Sequence, residues 1–272
     1  MLKRIYLEVS DYCNLSCSFC TSPRKNKTMM SLDDFKLIVD KIKGHASELY
    51  LHVLGEPLIH PNILDMIEYA KKYFKVQITT NGRLINKLEA GLINSGFSKM
   101  NISLNSALSL DNDELINYLN SIASFIDKVH KVSEEVSFNL RLWAYDSNDE
   151  KTKIIEHYLE QIYNVKLNGK ENVRLRPRVI LTYEREFEWP SLANPYYGDT
   201  GRCLGLKTHI SILANGDVGV CCLDSLCDSK LGNIYNEELE DILSSKKVTS
   251  IIKGFNDNKL VLDICKHCSY HD

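Results

Sequence analysis

Cys13-Asn14-Leu15-Ser16-Cys17-Ser18-Phe19-Cys20 places three thiols within eight residues, directly after a strand-like stretch, Arg4–Ser10. A loop this dense in cysteine is built to wrap a metal rather than to pack. The odd count matters, because protein iron–sulfur cubes usually take four cysteine thiolates. Three would leave one iron open to a further ligand, which is what makes a cluster a catalyst. A zinc loop is the alternative that the triplet alone leaves open.

The rest of the 272-residue chain frames that loop. Hydrophobic residues at 44% and charged residues at 25% are those of an ordinary globular protein of one large domain, or one domain with a small appendage. A net charge of -3 gives no general pull toward nucleic acid or anionic membrane. Glu8 and Asp11 interrupt any signal-peptide core, and no apolar run reaches the length of a membrane span. A cytoplasmic location is therefore expected. Nine cysteines in a reducing compartment point to metal or redox work, not to disulfides.

Strand and helix signals alternate through the first two-thirds. Strands are expected at Arg4–Ser10, Glu48–Leu54, Lys75–Thr80, Lys99–Leu104, Val136–Trp143 and Val173–Ile180. Helices are expected at Leu32–Lys43, Asn62–Tyr73, Leu84–Asn94, Asp111–Val132 and Glu150–Tyr163, the first capped by Ser31 with Asp34 three residues on. Such βα units predict an α/β fold on a parallel sheet. The strands alternate apolar and polar residues, as in Leu7-Glu8-Val9, Leu51-His52-Val53 and Phe138-Asn139-Leu140-Arg141, where a doubly covered parallel strand would be continuously apolar. One face should meet the helices and the other should line a wet, ligand-filled interior. This predicts a partial (β/α)6 barrel, with Glu8, His52, Asn139, Arg174 and Arg176 as interior substrate-contact candidates. Arg174, Arg176 and Arg178 share a strand face; they either hold an anionic or carboxylate-bearing substrate or pair with Glu8 or with exposed acids. Arg24, Lys25 and Lys27 form a basic patch beside the cysteine loop, either a docking point for an acidic electron donor or a solvated loop.

The loops at the strand ends carry matching signals: Gly55-Glu56-Pro57 after the second strand, Thr79-Thr80-Asn81-Gly82 after the third, and Ser103-Leu104-Asn105 on the fourth. With the C-x3-C-x2-C triplet, these resemble the motifs of the radical S-adenosylmethionine (SAM) superfamily. The resemblance implies a 4Fe–4S cluster on Cys13, Cys17 and Cys20, with SAM chelating the open iron. It implies cofactor contacts from Phe19, Gly55, Glu56, Pro57, Thr79, Asn81, Ser103 and Asn105, with Arg141 suited to the methionyl carboxylate. The first glycine of the usual Gly-Gly-Glu-Pro is Leu54 here.

From about Phe187 the pattern changes, dividing the chain into 1–186 and 187–272. After a linker come Cys203, a hairpin turning at Ala214-Asn215-Gly216-Asp217, then Cys221, Cys222, Cys227 and a closing Cys265-Lys266-His267-Cys268. This layout resembles the auxiliary-cluster domain of the SPASM/twitch branch, in its shorter twitch form. The resemblance implies one auxiliary 4Fe–4S cluster on Cys203, Cys221, Cys265 and Cys268. Zinc is again the alternative, with His267 and His271 nearby. Cys221 and Cys222 would point to opposite sides of a strand, so only one faces the metal; Cys227 has no ligand spacing of its own.

The resemblance implies a radical SAM oxidoreductase acting on a small molecule, reduced by a flavodoxin- or ferredoxin-type donor. Three rivals stay open. A peptide maturase is disfavoured because no leader-binding domain precedes the first strand. An epimerase would use Cys222 or Cys227 as hydrogen donor. A metal-stabilised RNA-contact or binding module is disfavoured by the acidic net charge and the SAM motifs.

Overall fold

The structure, a computed structural model, describes residues 2–21, 27–143, 149–184 and 188–270. Two compact units emerge, one formed by residues 1–75 with 187–272 and the other by residues 76–186.

The first unit is organised on β1 (Arg4–Leu7). On one side β1 runs parallel to β2 (Glu48–Tyr50), with Tyr6 opposite Tyr50. On the other it runs parallel to β8 (His209–Ile212), with Arg4 opposite His209. A hairpin then joins β8 to β9 (Asp217–Gly219), and β10 (Gly232–Asn233) closes the order β10-β9-β8-β1-β2. The hairpin turn depends on Gly216, at φ 84°, where a Cβ would stand 2.3 Å from the Tyr235 ring. Alternation decides what β1 buries: Ile5 and Leu7 are fully buried while Arg4 and Tyr6 are not. Helix α1 (Leu32–Ile42) starts at Ser31, whose Oγ accepts from Asp34 N at 3.0 Å and donates to the Asp34 carboxylate at 2.7 Å. Helices α2 (Ile63–Ala70), α6 (Leu239–Ser244), α7 (Lys246–Asn256) and α8 (Asp263–Lys266) complete this unit.

In the second unit β3 (Lys75–Thr80), β4 (Lys99–Ser103), β5 (Ser137–Trp143) and β7 (Val179–Glu184) run parallel in that order. Helices α3 (Ile85–Ser95), α4 (Asn112–Val132) and α5 (Glu150–Tyr163) connect them. The α/β class on parallel βα units is as expected.

The sixth strand is not. Val173–Ile180 breaks into β6 (Val173–Arg176), an antiparallel edge strand, and the start of β7. Pro177 has no N–H for a ladder, and Arg178 turns the chain at φ 62°. This overturns the interior placement of the arginines. Arg174 is exposed. Arg176 donates to Asp127 at 2.6 Å and contacts His130 at 3.3 Å, both on α4, and Arg178 donates to Glu135 at 2.7 Å. Arg176 and Arg178 pair with local acids, though not with Glu8. Among the described residues, no helix is long and apolar enough to cross a membrane.

Candidate cofactor site and second thiol set

The cysteine loop of the first unit is closed at its base by reciprocal bonds. Asp11 N donates to Thr28 O at 3.1 Å, and Thr28 N donates to Asp11 Oδ1 at 2.8 Å. Inside it Cys20 N donates to Cys17 O at 3.1 Å, a tight turn that gathers the thiols. Cys13 and Cys20 are exposed, and Cys17 and Phe19 half-buried. Burial and then the neighbouring thiols push Cys17 and Cys20 up from the ordinary cysteine range. Two thiols that resist ionising beside a third are what a cationic centre would relieve, since metal ligands must be thiolates. Arg24 and Lys25 of the basic patch lie outside the described residues; the Lys27 ammonium stands 5.4 Å from the Tyr12 ring centroid.

The Gly55-Glu56-Pro57 loop lies against the backbone that leads into Cys13. Gly55 sits at φ 73°, and a Cβ there would meet Ser10 O at 2.4 Å and Tyr12 O at 2.7 Å. Glu56 N donates to Tyr12 O at 2.8 Å, while the Glu56 carboxylate caps the following 3-10 turn by accepting from Leu58 N at 3.0 Å. Two residues that sequence alone placed at the substrate have other partners. Glu8 is wholly buried, and its oxygens accept from the backbone amides of Leu54 and Ala214. His52 packs in a ring cluster, 5.7 Å from Tyr6 and 6.0 Å from Tyr50.

In the second unit the Asn81-Gly82 turn is held from two sides, with Asn81 O accepting from Ser106 Oγ and from Tyr118 OH, each at 2.9 Å. Thr79 Oγ1 accepts from Asn101 at 3.2 Å, and Ser103 O accepts from Ser106 Oγ at 2.7 Å. Asn105 is buried and accepts from Trp143 N at 2.8 Å, ending β5. Asn139 accepts from Thr182 Oγ1 at 2.7 Å. Arg141 is held by Glu184, with Nε 3.0 Å from a carboxylate oxygen that also accepts from Nη2. Sequence reasoning missed Glu184 because it ended the last strand at Ile180, and missed Tyr118 because a tyrosine at helical spacing reads as core.

Cys203, Cys221, Cys265 and Cys268 all belong to the first unit, and all four are half-buried. Burial raises Cys221 well above the ordinary range, with Cys222 and then Cys203 adding to it. Burial pushes Cys265 to about 12, with Cys203 and Cys268 contributing, and Cys268 rises through burial and Cys203. Cys13, Cys203 and Cys268 share one device, an N–H two residues on that donates to sulfur: Leu15 at 3.4 Å, Gly205 at 3.3 Å and Tyr270 at 3.4 Å. Hydrogen bonds to a ligating sulfur are among the levers that set a cluster's potential. Cys222 lies past the end of β9 and near Tyr6, so the expected strand alternation with Cys221 does not govern it. Cys227 is buried with Val53 and Leu213, with Tyr6 packed against them. No disulfide joins any of the nine cysteines.

Among the described residues, no three His, Cys, Asp or Glu side chains close on a single metal ion. A zinc site would need thiolates roughly 2.3 Å from one centre. Three thiols in one loop are the donor set of a cluster with an open iron, and four more in the same unit are the donor set of a fully ligated one.

Comparison with known proteins agrees. The family model described as "Radical SAM superfamily" matches residues 7–159, and the SPASM model, described as "Iron-sulfur cluster-binding domain", matches residues 203–269. Curated relatives include the tungsten-containing aldehyde ferredoxin oxidoreductase cofactor-modifying protein of Pyrococcus furiosus, 34% identical over 31% of this chain and 25% of that one. The GTP 3',8-cyclase of Petrotoga mobilis is 32% identical over 49% of this chain and 44% of that one. The chain thus matches a quarter to under a half of the length of these two relatives. Among solved structures, BtrN in complex with AdoMet and 2-DOIA has a TM-score of 0.63 at 19% identity, covering 99% of this chain and 93% of that one. Streptococcus suis SuiB bound to precursor peptide SuiA has a TM-score of 0.65 at 16% identity, covering 99% and 72%. Those likenesses establish the fold; the family match over residues 7–159, with the thiol loop at its start, establishes that the chain belongs to the radical SAM superfamily.

Proposed function

We propose that this radical SAM enzyme is an oxidoreductase that removes two hydrogens from a small molecule. The observation that carries the reading is the second thiol set. Cys203, Cys221, Cys265 and Cys268 put four thiols in one unit, enough to fill every iron of a cube and leave none to bind substrate. Such a centre suits electron transfer. When bound, the SAM-ligated cluster and its SAM supply a 5′-deoxyadenosyl radical for hydrogen abstraction, and the auxiliary cluster supplies an acceptor for the second electron.

The chain's own residues do the rest. Cys13, Cys17 and Cys20 would hold the first cluster. By the family resemblance, Gly55-Glu56-Pro57 would receive the SAM amino group, and Phe19, Thr79, Asn81, Ser103 and Asn105 would be further cofactor contacts. Arg141 would present a planar cation to the methionyl carboxylate, with Glu184 fixing the direction of its fork. A flavodoxin- or ferredoxin-type donor would deliver the first electron. The support from BtrN, whose structure contains AdoMet and 2-DOIA, is a shared fold over nearly the whole of both chains.

Anaerobically reconstituted chain, incubated with reductant, SAM and a panel of small polyols and aminocyclitols, should release 5′-deoxyadenosine and a product two hydrogens lighter than its substrate. Cys222→Ala and Cys227→Ala should each stay within a few-fold of the unaltered rate. A product of unchanged mass plus one deuterium from D2O, with one of these variants stalled after SAM cleavage, would replace oxidation by epimerisation.

A further inference from the structure

We infer that Glu8 is a positioning residue, whose buried carboxylate clamps the Gly55-Glu56-Pro57 loop to the C-terminal hairpin and thereby sets the shape of the SAM-binding loop. The inference rests on the SAM reading above and deepens it.

Glu8 is 0% exposed, one residue beyond β1. Its Oε2 accepts from Leu54 N at 2.9 Å and its Oε1 from Ala214 N at 3.2 Å, amides 46 and 206 positions away in sequence. Enclosing a carboxylate is costly unless it is hydrogen-bonded, and a position needed only for packing would take an apolar residue. Here each oxygen meets a different segment. Ala214 opens the hairpin turn, and Ala214 itself is buried. Leu54, also buried, is the last residue before Gly55. The loop is therefore held on two sides, by Glu8 at the Leu54 amide and by Tyr12 O at the Glu56 amide, 2.8 Å away. Tyr12 immediately precedes Cys13, so the clamp also fixes where the loop sits relative to the first thiol. Its reach is what a glutamate supplies: aspartate is one methylene too short to span both amides, and glutamine offers one oxygen and an NH2 that faces an N–H donor.

The test uses the full reconstituted chain and reads three quantities. Glu8→Gln should keep the full iron content, weaken SAM binding about tenfold or more, as the loss of a bond to a charged group does, and speed hydrogen exchange at the Leu54 and Ala214 amides. Iron content separates positioning from general misfolding, because a merely structural residue would lower iron and affinity together. SAM affinity equal to that of the unaltered chain would overturn the inference. If Glu8→Gln fails to fold, exchange in the unaltered chain decides: Leu54 and Ala214 should be among the slowest amides of their loops, and rapid exchange at either rules the clamp out. Failure of the SAM reading looks different, since the iron-loaded unaltered chain would then bind no SAM.

Discussion

At the scale of single residues, Gly55 is the most constrained position near the proposed cofactor. Its φ of 73° disfavours any L side chain, and a Cβ would lie 2.4 Å from Ser10 O. Gly55→Ala should therefore cost about 1–3 kcal/mol in the loop's native geometry. The expected result is weaker SAM binding by titration, with the iron of the Cys265/Cys268 set retained; unchanged affinity would mean the loop relaxes elsewhere. That glycine was legible in the sequence because its motif has neighbours in order. Glu8 and Arg176 were read less well, for a physical reason. A polar residue on an alternating strand announces only that it leaves the apolar face, not what it meets there. Glu8 meets two amides, and Arg176 reaches Asp127 on α4, 49 residues back. Sequence spacing carries no signal for either partnership.

At the scale of elements, the β8–β9 hairpin holds the clearest pH dependence. His209 begins β8 in register with Arg4. Burial first, and then the Arg4 charge, push its imidazole down to about 4. Its folded pKa lies below the unfolded value of about 6.5, so the neutral form is favoured in the fold. The associated stability is complete above that unfolded value and is lost as pH falls toward 4, by up to roughly 3 kcal/mol. His60, also lowered by burial, acts in the same sense. Anaerobic denaturation between pH 7 and 4 should give a flatter profile for His209→Gln than for the unaltered chain, and parallel profiles would exclude His209 as the source. Elements with strong local signals were legible: α1 with its Ser31 cap, α5 over Glu150–Tyr163, and the hairpin with its Asn-Gly turn. The β6–β7 turn was not, because Val173 to Ile180 alternates without a break that outweighs one proline. Nor was the parallel pairing of β8 with β1, a match set by edges rather than by either strand's own residues.

At the scale of the whole molecule, seven of the nine cysteines are assigned to two centres, and iron content is the measure that tests the division. Cys265→Ala with Cys268→Ala should remove about half the iron of the reconstituted chain and abolish product while leaving 5′-deoxyadenosine release, since the first thiol loop is untouched. Full iron in that variant, or zinc in the unaltered chain, would end the auxiliary-cluster assignment. The pairing of β1 with β8 bears on how such a protein is made. On a ribosome, the fourth residue emerges some two hundred residues before its partner His209. Until then β1 has an unpaired edge beside a loop of bare thiols, and open edges invite association with other chains. Contacts so distant in sequence also slow folding. Nascent chains stalled before β8 should therefore depend on chaperones to stay dispersed, and iron delivered during synthesis would meet an N-terminal strand still lacking one neighbour.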